Sequence, residues 1–429
     1  MRFGMFFTLV SLLLVAASFY VGRRAKQAFG FGRRAEIVGI AILIGSIVAM
    51  LIARKLHVRP IGQVAFTITL AILLTTVLLL LVDLVKLGIR LPLLLTKTRP
   101  SQSEAAAHSN ELATAPVPLS APIDEDAAEV APRELPKQEV LASDPLASTR
   151  RVFLGQAVTG SAMVLGSGSS VYGALFGRLD YTVEEVPIRI PGMSRKLDGY
   201  TIVQLSDIHF GVYVGEAEMR AAEDLVRKAR PDKIVLTGDL VDNNARYAEM
   251  LGRLVRRLSP LSRDGVVVIP GNHDWSSGID ATMGAAQEGG ARVLRNDGLV
   301  IGSDKDGIAL LGVEDVWARR RNPNARPDLD MAISRVPVDL PRVLLCHNPV
   351  FFPEAAGKVA LQLSGHTHGG QIGLGPLRPI DLVLPYGYVA GRYERDGSQL
   401  YVNRGFGTAG PPARLGSPPE VTRIVLVAG

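Results

Sequence analysis

The chain has 429 residues, with 47 Lys and Arg against 41 Asp and Glu, and a formal net charge of +6 at neutral pH. The excess sits at one end: residues 1–99 carry thirteen basic residues and two acids, Glu36 and Asp83, a balance of +11 that leaves the remainder at −5. That distribution excludes a nucleic-acid-binding reading despite the basic total, since the part long enough to do chemistry is mildly acidic. The single cysteine excludes an intrachain disulfide.

In chain order, no charge occurs between Arg2 and Arg23, between Glu36 and Arg54, or between Arg59 and Asp83, and each stretch is rich in Leu, Ile, Val, Ala and Phe. About 20 such residues span a hydrocarbon core, so region 1–99 is expected to hold three transmembrane helices, near residues 3–22, 37–53 and 61–82. Residues 100–149 are rich in Ala, Pro and Glu without apolar periodicity, which predicts a disordered linker. Residues 150–177 open on STRRVFLG and continue uncharged but Gly- and Ser-rich. They fit either a fourth membrane helix packed through small residues or a segment resembling a twin-arginine export signal. Basic residues crowd the loop from Arg23 to Arg34 and the flanks of the linker, whereas only Arg54, Lys55 and Arg59 follow the second span. The positive-inside rule then leaves everything after the fourth segment outside the cytoplasm.

Residues 178–429 are long enough for one sizeable core. Glu216–Arg230 and Tyr247–Leu258 have helical spacing, and Pro231 ends the first. Strand-like runs at Thr201–Leu205, Lys233–Leu236, Val266–Ile269 and Val343–Leu345 alternate with or follow these. More lie near Val300, Ile308–Leu311, Leu400–Asn403 and Val421–Val427. Two packed sheets with helices outside, a four-layer α/β/β/α sandwich, accommodate them.

Five of the seven histidines lie in this part, in the phrases SDIHF, GNHD, CHNP and SGHTH, with GDLVD between the first two. In four cases a buried-strand run leads straight into the polar residues, so side chains distant in sequence converge at the carboxyl ends of strands. Imidazole, carboxylate and carboxamide groups gathered in this way are what two divalent ions need. Asp239 is the best candidate for a bridging carboxylate, with Gly238 before it letting backbone approach. Asp207 with His209, and His366 with His368, are each two apart, which on a strand end points both to one side. Asn272 offers a neutral oxygen and His347 a further imidazole, a donor set suited to Mn, Fe or Zn more than to Ca. His273 is expected beside the metals and not on them, free to act as general acid or charge stabiliser.

These motifs, D-x-H, G-D-x-x-D, G-N-H-D, a lone His and G-H-x-H in order over about residues 195–429, resemble the calcineurin-like metallophosphoesterase superfamily. The resemblance implies that Asp207, His209, Asp239 and His368 hold one metal and that Asp239, Asn272, His347 and His366 hold the second. It also implies that Asp242 orients His273. SGHTHGGQIGL, followed by Tyr393, RGFGT and PPE, is similar to a bacterial membrane-associated branch. That branch implies a multi-pass protein of the bacterial inner membrane acting on a phosphodiester or pyrophosphate, with a lipid or cell-envelope substrate following from location. Cys346 stands where serine is more familiar, in a position expected to face the interior.

A lone histidine in a strand-rich chain is more often structural than a ligand, but five histidines, three acids and an asparagine in this order defeat that reading jointly. Asp242 and Asp274 each also fit a turn-capping carboxylate. Arg319, Arg320 and Arg321 read first as a solvated loop and second as a basic loop beside a phosphate site or an anionic bilayer surface. Trp275 either walls the pocket or packs under it. Two alternatives stand beside the outward-facing phosphoesterase: a UDP-2,3-diacylglucosamine-type pyrophosphatase facing the cytoplasm, and a non-catalytic metal-binding sensor.

Overall fold

The computed structural model describes residues 2–97, 145–373, 378–382, 384 and 387–429. The chain divides into two compact units, residues 1–40 with 72–166, and residues 41–71 with 167–429. The linker expected over 100–149 lies outside the described residues except at its C-terminal end.

The N-terminal helices are α1 (Arg2–Phe29), α2 (Arg33–Leu56), α3 (Arg59–Lys97) and α4 (Pro145–Leu175). Among the described residues, two stretches are long and apolar enough to cross a membrane, Glu36–Ala53 and Arg59–Ile89. In α1 the side chains before Leu12 fall outside the described set. Within the first unit, Asp83 is paired: Tyr20 donates to it at 2.6 Å and Arg24 lies at 3.1 Å. A methyl group on Gly166 would meet the Thr75 backbone at 2.7 Å, so α4 uses a small residue for close approach to α3.

The second unit is built on two six-stranded sheets. The first has the order β1 (Thr182–Ile190), β12 (Glu420–Ala428), β2 (Thr201–Leu205), β3 (Lys233–Thr237), β4 (Val266–Ile269) and β5 (Arg292–Val293). Strands β2 to β5 are parallel, and β12 runs antiparallel to β2. The second has the order β10 (Gly391–Arg395), β11 (Ser398–Val402), β9 (Leu361–Ser364), β8 (Arg342–Leu345), β7 (Ile308–Gly312) and β6 (Asp297–Ile301).

Side chains alternate across a strand, and the buried residues divide accordingly. Ile202, Val235, Val267 and Ile269 meet Leu310, Val343, Leu345 and Leu363 between the sheets. Their neighbours Val203, Ile234, Leu236 and Val268 face α5 (Glu216–Ala229), α6 (Ala248–Leu258) and α7 (Asn272–Glu288), through Met219, Val226, Leu251, Val255 and Met283. Ala309, Leu311, Leu344 and Cys346 face the outer layer of the second sheet, where Leu329, Ala332 and Phe351 cover them. Period-two alternation with both faces buried therefore produces the α/β/β/α layering expected from the sequence. Helix α5 stops at Arg230, which takes a left-handed φ of 50° ahead of Pro231.

One link between the sheets is polar. Gln204 on β2 donates to Thr237 Oγ1 at 2.9 Å and to the Ser364 carbonyl at 3.0 Å, joining β2, β3 and β9 below the ends that carry the histidines. The unit also includes the turn between α2 and α3. Arg59 pairs with buried Glu218 on α5, which Arg178 approaches at 3.6 Å, and Gln63 donates to the Ala174 carbonyl at 2.8 Å.

Candidate metal centre

All nine residues singled out in the sequence come together at the C-terminal ends of β2, β3, β4, β8 and β9. The loops that carry them leave the sheets abruptly. Asp207, His209 and Asp239 each have φ 53°, His366 has φ 75° and His368 φ 52°. A non-glycine residue held there costs about 1–3 kcal/mol, so five such residues in one crevice mark a site whose surroundings over-determine it. This corrects the expectation that the paired residues share one side of a strand end. Strand β2 stops at Leu205, and left-handed turns aim Asp207 and His209 together. His366 and His368 follow β9 in the same manner.

Glycines allow the loops to close. Gly238 has φ 90°, and a methyl group there would lie 2.7 Å from His347 Nδ1 and 2.8 Å from the Gly271 Cα. Gly365 is pressed more tightly still against Ser206 and the Asp207 carboxylate.

Two clusters, Asp207, His209 and His368, and Asp239, His347 and His366, each have donor atoms within 4.8 Å of one another, and a third group of His209, Asp239 and His273 meets the same distance and overlaps both. In the first, His209 Nε2 and His368 Nε2 are 3.1 Å apart, and Asp207 Oδ1 is 3.4 Å from His368 Nε2. In the second, His366 Nδ1 is 3.3 Å from His347 Nε2. Asp239 joins them, with Oδ2 at 3.2 Å from His347 Nε2 and 3.8 Å from His209 Nε2. Burial pushes the Asp239 carboxyl up, but the charge on His347 and its hydrogen bond outweigh that and hold it well below the usual range.

The ring nitrogens are oriented from behind. His347 Nδ1 donates to the Thr237 carbonyl at 2.8 Å, which fixes the ring and turns Nε2 toward the cluster. Asp207 accepts from the His366 amide at 2.9 Å. Asn272 Oδ1 is buried with no hydrogen-bond partner. A buried carboxamide oxygen left without a partner, one residue before His273 whose amide bonds Asp239, is what a metal ligand looks like before its metal is considered, so the residues fit divalent ions.

His273 stands beside the clusters. Its amide donates to Asp239 Oδ1 at 2.7 Å, its Nδ1 lies 3.0 Å from Asp242 Oδ1, and its ring packs edge-on to His209 at 4.7 Å. Burial would lower its pKa, but the bond to Asp242 and the charge of Asp239 raise it to about 9. The balance between the two flanking acids is resolved by geometry. Asp274 caps a loop, accepting from the amides of Leu240, Val241 and Gly271 at 2.9–3.0 Å, whereas Asp242 faces His273. Burial and the nearby Asp239 charge raise Asp274 to about 7.

Trp275 packs under the site, 8% exposed, with Nε1 donating to Glu314 at 3.0 Å. The aromatic residue that meets the clusters is Trp317, edge-on to His366 at 4.7 Å. Sequence reading also passed over Arg414. It is fully buried and donates to the carbonyls of Arg404, Gly405 and Gly407 at 2.6–3.0 Å, with His368 Nδ1 at 3.1 Å. Its signal was an arginine among RGFGT, PPA and GSPPE, a run dense in turn formers that hid a core residue. Cys346 is buried in the outer apolar layer, as expected, and its Sγ lies 3.5 Å from the Asn348 carbonyl.

A family model described as calcineurin-like phosphoesterase matches residues 200–370, the span from β2 through the second His of SGHTH. The uncharacterized metallophosphoesterase YkuE of Bacillus subtilis (strain 168) is 32% identical over 292 residues, covering 65% of this chain and 97% of its own length. The chain belongs to the calcineurin-like metallophosphoesterase family. A transmembrane protein with metallophosphoesterase domain from Danio rerio is 30% identical over 278 residues, 62% of either chain. The solved structure of a dimetal phosphatase from Danio rerio has a TM-score of 0.30 and 14% identity, covering 51% of this chain and 91% of that one. This metallophosphoesterase is thus a metal-dependent phosphoester hydrolase, and its His and Asp clusters are able to hold divalent ions.

Proposed function

We propose that the metallophosphoesterase is a membrane-anchored, dinuclear hydrolase of a phosphodiester or pyrophosphate bond, acting on a lipid-linked or envelope substrate outside the cytoplasm. The carrying observation is that Asp239 Oδ2 stands between His209 and His347, so one carboxylate serves two clusters. In this reading Asp207, His209, Asp239 and His368 hold one ion, and Asp239, Asn272, His347 and His366 the other. Manganese, iron or zinc suits the mixed nitrogen and oxygen donors. Such a pair supplies positive charge for the phosphoryl oxygens and lowers the pKa of water to give a nucleophile near neutral pH.

The chain's own residues do the rest. Asp239 fixes the spacing of the two clusters. His273 carries a proton on the imidazole that faces the site and delivers it to the departing oxygen, and Asp242 keeps that ring in place. Five left-handed backbone positions pre-set the donor directions, so little reorganisation is needed when substrate binds.

Membrane anchoring draws support from the two apolar stretches and from the docked turn of α2 and α3. His57 faces Tyr247 at 3.4 Å, Arg59 pairs with Glu218, and Gln63 reaches the C-terminal end of α4. The turn and that end of α4 thereby pack on the catalytic layers. With basic loops inside, the catalytic part faces outward.

The test is hydrolysis of bis(p-nitrophenyl) phosphate by the full-length protein in detergent with Mn, beside Asp239→Asn and His273→Ala. Loss of turnover in both variants supports the reading, and equal rates in all three remove it. A topology reporter fused at Gly429 that signals from the cytoplasm would overturn the outward orientation.

A further inference from the structure

The basic run Arg319–Arg321 is set against the centre. A tight turn over Ala318–Arg320 is pinned from below: the Trp317 amide donates to Asp315 Oδ1 at 2.7 Å, and Ala318 is fully buried against Trp275 and Ala325. Successive backbone bonds, Arg320 to the Trp317 carbonyl and Arg321 to that of Ala318, both at 2.9 Å, close the turn. The loop is therefore a rigid shelf, and what it carries is positioned.

It carries two guanidinium groups. Arg320 stacks on Trp317 at 4.3 Å from the ring centroid, and the opposite relation of the same ring is the edge-on contact with His366 at 4.7 Å. Arg321 donates to Ser276 Oγ at 3.4 Å, and Ser276 in turn bonds the carbonyl of Asn272 at 3.1 Å. Each arginine is thus one residue removed from a proposed ligand of the second ion. Among the described residues no ion pair holds Arg319, Arg320 or Arg321, whereas Arg295, stacked on Trp275 under the same loop, is paired with Glu314. Unneutralised guanidinium groups on a rigid loop, with planar donor forks, suit an oxyanion.

We propose that Arg320 and Arg321 form a subsite for a second anionic group of the substrate, adjacent to the phosphoryl group held at Asp239, Asn272, His347 and His366. The inference rests on the metal-site reading given above and narrows its substrate class. It selects pyrophosphate diesters, and phosphodiesters that carry a further phosphate or carboxylate next to the scissile bond, over simple diesters with one charge. Trp317 sets the height of Arg320 above His366, so it positions the subsite and does not bind the anion itself.

The test uses the full-length protein with Mn at fixed free concentration, turning over bis(p-nitrophenyl) phosphate, with methylphosphonate and methylenebisphosphonate as inhibitors. The two probes differ in carrying one or two ionised phosphonates. Wild type is expected to favour the bisphosphonate by about tenfold or more, equivalent to about 1.4 kcal/mol. In Arg320→Met/Arg321→Met that preference is expected to shrink to within about twofold, and in the Arg320→Lys/Arg321→Lys pair to recover in part. The ratio is the readout because damage to the metal centre lowers inhibition by both probes together. A preference that persists in the Met pair overturns the subsite alone. Absence of turnover, or of inhibition by methylphosphonate, in wild type overturns the metal-site reading and the subsite with it. Loss of binding to phosphatidylglycerol vesicles in the Met pair, with the bisphosphonate preference intact, would assign the arginines to a lipid surface and likewise overturn the proposal.

Discussion

Substitution of Gly238 by alanine isolates how far the centre depends on one close backbone approach. Gly238 ends β3, has φ 90°, and its missing Cβ would sit 2.7 Å from His347 Nδ1 and 2.8 Å from Gly271 N and Cα. Holding alanine at that φ costs about 1–2 kcal/mol, and relieving contacts with backbone on the far side costs about 1–3 kcal/mol more. The sum is about 2–5 kcal/mol, and the direction of relief matters more than its size. The only way out is to part the loop bearing Asp239 from the loop bearing Asn272, and to displace His347 from the Thr237 carbonyl that orients it. Gly265→Ala is the control, since Gly265 has φ 76° and nothing within 4 Å of an added methyl group. It carries the backbone cost without the overlap. Thermal unfolding and bound Mn are measured for both, on the full-length protein in detergent. Gly265→Ala is expected to lower the midpoint by a few degrees and keep its metal, at about 2–4 °C per kcal/mol for a domain of this size. Gly238→Ala is expected to lose most of its metal and its activity. Wild-type metal content in Gly238→Ala would refute the claim that this approach sets the spacing of the two clusters.

Asn272→Leu removes the orphaned carboxamide oxygen and is expected to release one of two bound ions, read by elemental analysis against protein concentration; an unchanged count would remove Asn272 from the ligand set. Asp274→Ala strands the amides of Leu240, Val241 and Gly271 and is expected to cost about 3 kcal/mol or more, seen as a lower unfolding midpoint. Cys346→Ser leaves metal content unchanged, because the side chain faces the outer apolar layer, and the wild-type thiol should resist a water-soluble disulfide reagent until the protein unfolds. Arg414→Met orphans the carbonyls of Arg404, Gly405 and Gly407 under His368, and is expected to reduce bound metal toward one ion per chain before global unfolding.

The layering and the site were legible for one shared reason. Thr201–Leu205, Lys233–Leu236, Val266–Ile269 and Val343–Leu345 are apolar on both faces and end at polar phrases, so a single pattern marks both a buried strand and the functional loop after it. Strand β9 broke that pattern. Its residues Gln362 and Ser364 are polar yet fully buried: Gln362 Nε2 donates to Ser364 Oγ at 2.9 Å, and the Ser364 carbonyl takes the inter-sheet bond from Gln204. A core that carries polar groups looks like surface in sequence. The left-handed turns at Asp207, His209, Asp239, His366 and His368 were hidden because none of these residues advertises positive φ as glycine does. The partners of the arginines were hidden too. Nothing local separates Arg320, stacked on Trp317 beside the proposed ligand His366, from a solvated cation, or Arg414 from a loop arginine. Asp242 and Asp274, three residues after Asp239 and two after Asn272, were inseparable by type and were told apart only by which hydrogen-bond donors face them.

The central claim, that one carboxylate joins two metal-holding clusters into a phosphoesterase centre, is tested most directly by the Mn-dependent rate of bis(p-nitrophenyl) phosphate hydrolysis in Asp239→Asn relative to wild type. Partners that merely orient ligands are worth about 10–100-fold in metal affinity or activity, so replacing the shared ligand is expected to lower the rate by more than about a hundredfold. A rate for Asp239→Asn equal to that of wild type would contradict the account.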